Sequence, residues 1–209
     1  MSSRVFRGRD QFCRVVIAGV AVSLVAGLAP AGESAPDLRL LAHDTSRLGM
    51  NGDCDFSFVS GNVHTGPRNS VLNPVAFGPG GVVQRTVVLA EANTITGALL
   101  EHTDVVVITT LPSPGLTCHE QEVIHAFIEQ GGGVIAFANK ASTSLALVLE
   151  CGEAESCGGG TFSFESGASG HPVLGGPFGQ LSGPFGATFQ CRFASLGPHG
   201  TSVIASDAP

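Results

Sequence analysis

The chain of 209 residues contains no tryptophan and no tyrosine. Carbohydrate and peptide readers commonly use those rings for apolar area with a polar handle, so their absence argues against that class. Positive charge is also scarce. Lys140 is the single lysine, and 10 Lys+Arg stand against 17 Asp+Glu, for a net charge of −7. The remaining cations past the N-terminal region (Arg39, Arg47, Arg68, Arg85, Arg192) are scattered, without a basic stripe. Nucleic acid and anionic membrane surfaces are therefore not expected as partners. The sequence has neither a CxxC pair nor a Cys/His spacing of the zinc-site type, so no structural metal is expected. No cofactor fingerprint stands out, and no cofactor is expected.

What is present begins with a leader. Arg4, Arg7, Arg9 and Arg14 form a basic region, and Val15 to Leu28 is an apolar stretch too short for a comfortable membrane span. Ala29-Pro30-Ala31 fits a small-x-small cleavage site. The expectation is a signal peptide over 1–31 and a secreted or periplasmic mature chain, with no membrane contact after cleavage. Removing the leader leaves six cationic and sixteen acidic side chains, a net −10. Five cysteines then remain, Cys54, Cys118, Cys151, Cys157 and Cys191. Export permits disulfides, and the odd number leaves at least one thiol free or paired between chains. Cys151 and Cys157 could close a small loop; Cys191 could instead pair with one of them.

The fold class is read most firmly from residues 99–137. Val105 to Ile108 is a continuous apolar run, the pattern of a strand buried on both faces of a parallel sheet. Pro112 and Pro114 break the chain after it. Thr117 and Glu120 have the spacing of a capping box, and Val123, Ile124, Phe127 and Ile128 fall at helical spacing behind it. Gly131-Gly132-Gly133 ends that helix, and Val134 to Ala138 is the next buried strand. This is a right-handed βαβ crossover.

Around this unit, Leu38 to Ala42 reads as a first strand. His43 to Asn73 reads as loop and short hairpin, with Asn51-Gly52 and Gly66-Pro67 as turns. Val82 to Leu89 reads as a strand with Gln84 and Arg85 outward, and 96–100 and 142–149 as short helices. From Cys151 onward glycine dominates, with late strands at 188–193 and 202–205. The domain reading is a leader over 1–31, a polar segment over 32–69 and an α/β domain over 70–209.

Five segments then carry a family resemblance by their order: NPVAFGPGGVV (73–83), ALLEHTDVVVI (98–108), the Thr-x-x-Glu helix start, FIEQGGGVIAFAN (127–139) and GHPVLGGPFG (170–179). Together, over about residues 70–205, they resemble the class I glutamine amidotransferase-like superfamily, in its secreted, flavodoxin-like bacterial form. The resemblance implies a three-layer α/β sandwich with a mainly parallel sheet, here with a glycine-rich C-terminal part of extra β-strands. The superfamily's enzymes place a cysteine nucleophile on the tight turn after the strand matching Val134–Ala138. This chain has Asn139-Lys140-Ala141-Ser142 there, and His171 is followed by Pro172 where a His-x-Glu pair would stand. Amidotransferase chemistry is not carried over, since a thiolate needs a nearby base and an orienting group.

Two other patterns do not reach a site. His119 and His125 lie six apart, about 240° out of alignment on a helix, so they do not form the HExxH zinc pair. Asp53-Cys54-Asp55 stops at two carboxylates, short of an EF-hand loop. Ligands of open α/β sheets bind beyond the carboxyl ends of the strands, which points to Thr109, Thr110, Asn139 and Lys140, joined by His171 from the glycine-rich loop. The expected function is an exported, non-catalytic module that binds a small molecule or protein. The alternative is a hydrolase with Ser142 as nucleophile and His171 as base.

Overall fold

The structure is a computed structural model that describes residues 17–19, 36–48, 66–109, 111, 115–137, 148, 154–157, 160–187, 190–193 and 204–206. Four parallel strands form its centre: β1 (Leu38–His43), β2 (Val87–Ala92), β3 (Val105–Ile108) and β4 (Gly133–Phe137). Their order in the sheet is 2-1-3-4, the opening of the flavodoxin-like order. The register runs Leu38 against Val87, Leu40 against Val105 and Val105 against Gly133. A three-residue strand, Ile17–Gly19, lies antiparallel on the outer edge of β4. It falls inside the expected leader, the rest of which is outside the described residues.

Two apolar layers cover the sheet, as unbroken apolar runs require. On one face, Leu41, Val106, Ile108, Val134 and Ala136 pack with Ile124 and Phe127 of α4 (Cys118–Glu129) and Leu100 of α3 (Gly97–Leu100). On the other, Leu40, Ala42, Val87 and Val107 pack with Val71 of α2 (Gly66–Val71) and with Phe77. The α/β sandwich expected from the crossover is present, and the helix start is the expected capping box: the Thr117 hydroxyl accepts from the Glu120 amide at 3.2 Å. Gly131 ends α4 at φ +90°, where a side chain would be strained. Asp104 fixes the entry to β3. Its carboxylate accepts from the Arg39 amide at 2.8 Å and the Arg39 guanidinium at 2.9 Å, while its own amide donates to the Arg39 carbonyl.

Two segments differ from the sequence reading. The strand expected at 82–89 starts only at Val87. Backbone groups of Val82 and Val83 are consumed locally, donating to Val75 and Ala76 at 3.1 and 2.9 Å, so 75–83 folds back on itself. Only the single bridge between Phe77 and Val83 joins strand-like positions there. Of the polar stretch after β1, the described residues carry two short helices, and residues 49–65, with the hairpin expected there, lie outside the described residues. His43 still belongs to β1, and Asp44 accepts from the amides of Ser46 and Arg47, which starts the one-turn helix α1 (Thr45–Leu48). Gly66-Pro67 opens α2, since proline is tolerated in the first turn where its missing N–H is not needed. The turn expected at Asn51-Gly52 and most of the helix expected over 142–149 lie outside the described residues.

The C-terminal part is antiparallel throughout its described pairings. Strands β5 (Ala154–Cys157), β6 (Gly160–Phe164), β7 (Gly175–Gly176), β8 (Gly179–Gln180), β9 (Phe185–Ala187), β10 (Gln190–Phe193) and β11 (Ile204–Ser206) pair as β9-β6-β11, β10-β5 and β7-β8. Phe178, at the tip of the β7–β8 hairpin, meets Phe77 with ring centroids 5.3 Å apart. That contact ties the hairpin to the α/β body.

Candidate functional site at the carboxyl ends of the strands

The order 2-1-3-4 reverses between β1 and β3. The crevice outside the carboxyl ends at such a reversal is where open α/β sheets bind ligands. Along these carboxyl ends, β1 ends in His43-Asp44 and β3 runs into Thr109 at the reversal, and β2 runs into Asn93 on the other side of β1.

His43 is 1% exposed and Glu120 is fully buried. His43 follows Leu41 on the α4 face of β1, because side chains alternate along a strand. Its Nε2 lies 3.1 Å from Glu120 Oε1. Ionised Glu120 only accepts, so Nε2 is assigned the proton and Nδ1 the lone pair. Glu120 also accepts from the Ile95 amide at 3.2 Å, the Thr117 amide and hydroxyl at 2.9 Å each, and Arg47 Nη2 at 3.2 Å. Arg47 donates as well to the carbonyl of Gly115. One carboxylate thus fastens α1, the loop before α3 and the loop before α4 to the end of β1. Burial raises the Glu120 pKa, but the Thr117 amide, His43, the Ile95 amide and the Thr117 hydroxyl outweigh it and hold the acid below its usual range. Burial pushes the His43 pKa down, and the pull of Glu120 does not restore it. Two buried atoms in this cluster have no partner among the described residues, Nδ1 of His43 and Nε of Arg47.

Above the clamp lies a solvent-facing polar chain. Asn93 Nδ2 donates to Ser46 Oγ at 2.5 Å, and Ser46 Oγ donates to Asp44 Oδ1 at 2.5 Å. Thr94 Oγ1 donates to Asn93 Oδ1 at 3.1 Å. The Ser46 hydroxyl bond holds the Asp44 carboxyl below its ordinary pKa. Ser46, Asn93 and Thr94 are exposed and Asp44 is half-buried. The arrangement presents donors and acceptors in fixed positions, and Asp44 supplies the only ionised group in the chain of bonds.

Of the residues the sequence pointed to, Thr109 stands at the end of β3, 4% exposed. Thr110, Asn139, Lys140 and Ser142 lie outside the described residues. His171 sits in the turn before the β7–β8 hairpin, half-buried, with Nδ1 accepting from the Val173 amide at 3.3 Å. Cys118 is free and exposed. Cys151 lies outside the described residues. The backbone register sets Cys157 opposite Gln190 and Cys191 opposite Ser156.

Sequence reasoning missed His43, Arg47 and the Asp44–Ser46–Asn93 chain. The available signal was a polar His-Asp pair closing the apolar run Leu40–Ala42, at the strand end where α/β ligands bind. The sequence shows Glu120 only as a helix cap, which is one of its several bonds. Comparison with protein-family models, with curated proteins and with solved structures gives no match.

Proposed function

We propose that this chain is an exported, non-catalytic α/β module, akin to the glutamine amidotransferase-like superfamily, that binds a small polar ligand or a protein loop at the carboxyl ends of β1 and β2. One observation carries the reading: the solvent-facing groups Asp44, Ser46, Asn93 and Thr94 are hydrogen-bonded to one another and rest on a buried clamp. Groups held in this way lose little conformational freedom on binding, which favours recognition. The histidine and glutamate beneath them are engaged in holding the loops, and the Glu120 carboxylate accepts five hydrogen bonds from His43, Ile95, Thr117 and Arg47. A ligand suited to the surface carries both hydrogen-bond donors and acceptors, with a donor or cation toward Asp44.

The test is a fragment screen by NMR on the purified chain. Polar fragments are expected to shift the amides of Ser46, Asn93 and Thr94, and Asn93→Ala is expected to remove those shifts. Fragments that perturb only other surfaces would refute the site. Ammonia release from glutamine and hydrolysis of an activated ester are both expected to stay at buffer level. Robust turnover abolished by His171→Ala would instead establish the hydrolase reading.

A further inference from the structure

His43 is the one fully buried histidine among the described residues, and its ring is asymmetric in its contacts. Nε2 meets Glu120, while Nδ1 is buried without a partner among the described residues. In the neutral ring Nδ1 is an acceptor, and leaving one acceptor unmet is tolerable. On protonation it becomes a second N–H donor with no acceptor among the described residues, on a ring that now carries charge. The charged groups facing the ring are Glu120 from α4, Arg47 from α1 and Asp44 at the junction of β1 and α1. Glu120 and Asp44 favour the cation; Arg47 and burial oppose it.

We infer that His43 is a pH-sensitive latch, whose protonation releases Glu120 from the loops it holds and opens the carboxyl end of the sheet in mild acid. The latch operates without any ligand, so it stands apart from the binding reading above. Glu120 holds the backbone amides of Ile95 and Thr117, and through Arg47 it holds α1. A cation at His43 pushes Arg47 away and places an unmet donor at the base of all three connections.

The sign follows from linkage. The folded ring resists the proton relative to the opened form, so holding strength is full above the ordinary histidine pKa and is lost as pH falls below it. The loss is about tenfold per pH unit below about 6, until the folded ring itself titrates. Hydrogen exchange on the full chain at pH 7 and 5.5, corrected for the intrinsic pH dependence of exchange, reads this directly. Protection at the Ile95 and Thr117 amides is expected to fall several-fold relative to Val106 in the sheet core. In His43→Gln, whose side-chain amide still donates to Glu120 but does not titrate, the fall is expected to vanish. An unchanged ratio in the wild type, an equal loss at Val106, or the same loss in His43→Gln would overturn the latch. Should His43→Gln fail to fold, the His43 ring titration in the wild type decides. Coincidence with the loop amides supports the latch, and titration without any loop response refutes it.

Discussion

Glu120 shows how far one side chain can serve more than one element. It closes the capping box with Thr117, receives the Ile95 amide and pairs with His43 and Arg47. A substitution that keeps the shape but removes the charge turns one acceptor edge into a donor facing other donors. Glu120→Gln is therefore expected to cost on the order of 3 kcal/mol, because breaking one partner of a buried network leaves the others unmet. Thr117→Ala removes a cap and is expected to cost about 1 kcal/mol. The two should be non-additive in a double-mutant cycle by urea unfolding, since they share the same bonds. Asp104 makes a second residue-scale case. Hydrogen bonds from the Arg39 side chain hold its carboxyl below the ordinary range, against the opposing effect of burial. A depressed carboxylate contributes stability above its unfolded pKa and loses it as pH falls through the folded value. Arg39→Ala is thus expected to lower the urea midpoint at pH 7 and to leave it nearly unchanged near pH 2.

At the scale of elements, the α4–β4 turn separates two reasons for a glycine. A Cβ on Gly131 would meet open space, but its φ is +90°. A Cβ on Gly132 would fall 2.3 Å from the Phe127 ring, which is part of the core. Gly131→Ala is expected to cost about 1 kcal/mol through backbone strain. Gly132→Ala should cost about 1–3 kcal/mol through displaced packing. Differential scanning calorimetry distinguishes them from wild type, and the Phe127 ring resonances should move only in the second. Elements whose causes are local were legible in the sequence: the buried strand at 105–108, the capped helix and the glycine stop. The clamp was not, because His43 and Glu120 are 77 positions apart and neither carries a local pattern beyond strand end and cap. The start of β2 is hidden in the sequence for a related reason. Val82 and Val83 have strand-forming side chains, yet their backbone bonds return to Val75 and Ala76. The strand-end rule that points to Thr109 after β3 and to Asn139 after β4 applies equally to His43 and Asp44 at the end of β1.

Across the whole molecule, a parallel α/β body is followed by antiparallel β-structure, and Phe77–Phe178 is one contact between them. Phe178 remains 59% exposed, so its contribution is the ring pair rather than full burial. Phe178→Ala is expected to weaken the docking of the β7–β8 hairpin by about 0.5–1.5 kcal/mol. Faster proteolysis near 175–180, with the parallel core unaffected, would report it. The strand order has a consequence in time as well as in space. The first strand of the parallel body, Leu38–His43, is a central one, and its partners begin at Val87 and Val105. As the chain leaves the ribosome, that strand gains its first partner only from Val87 onward and its second only from Val105 onward. Both closures span long loops, which makes folding slow relative to a hairpin-built sheet of the same size. The first strand of the parallel body is thus the keystone, gripped on both sides only once β3 has emerged.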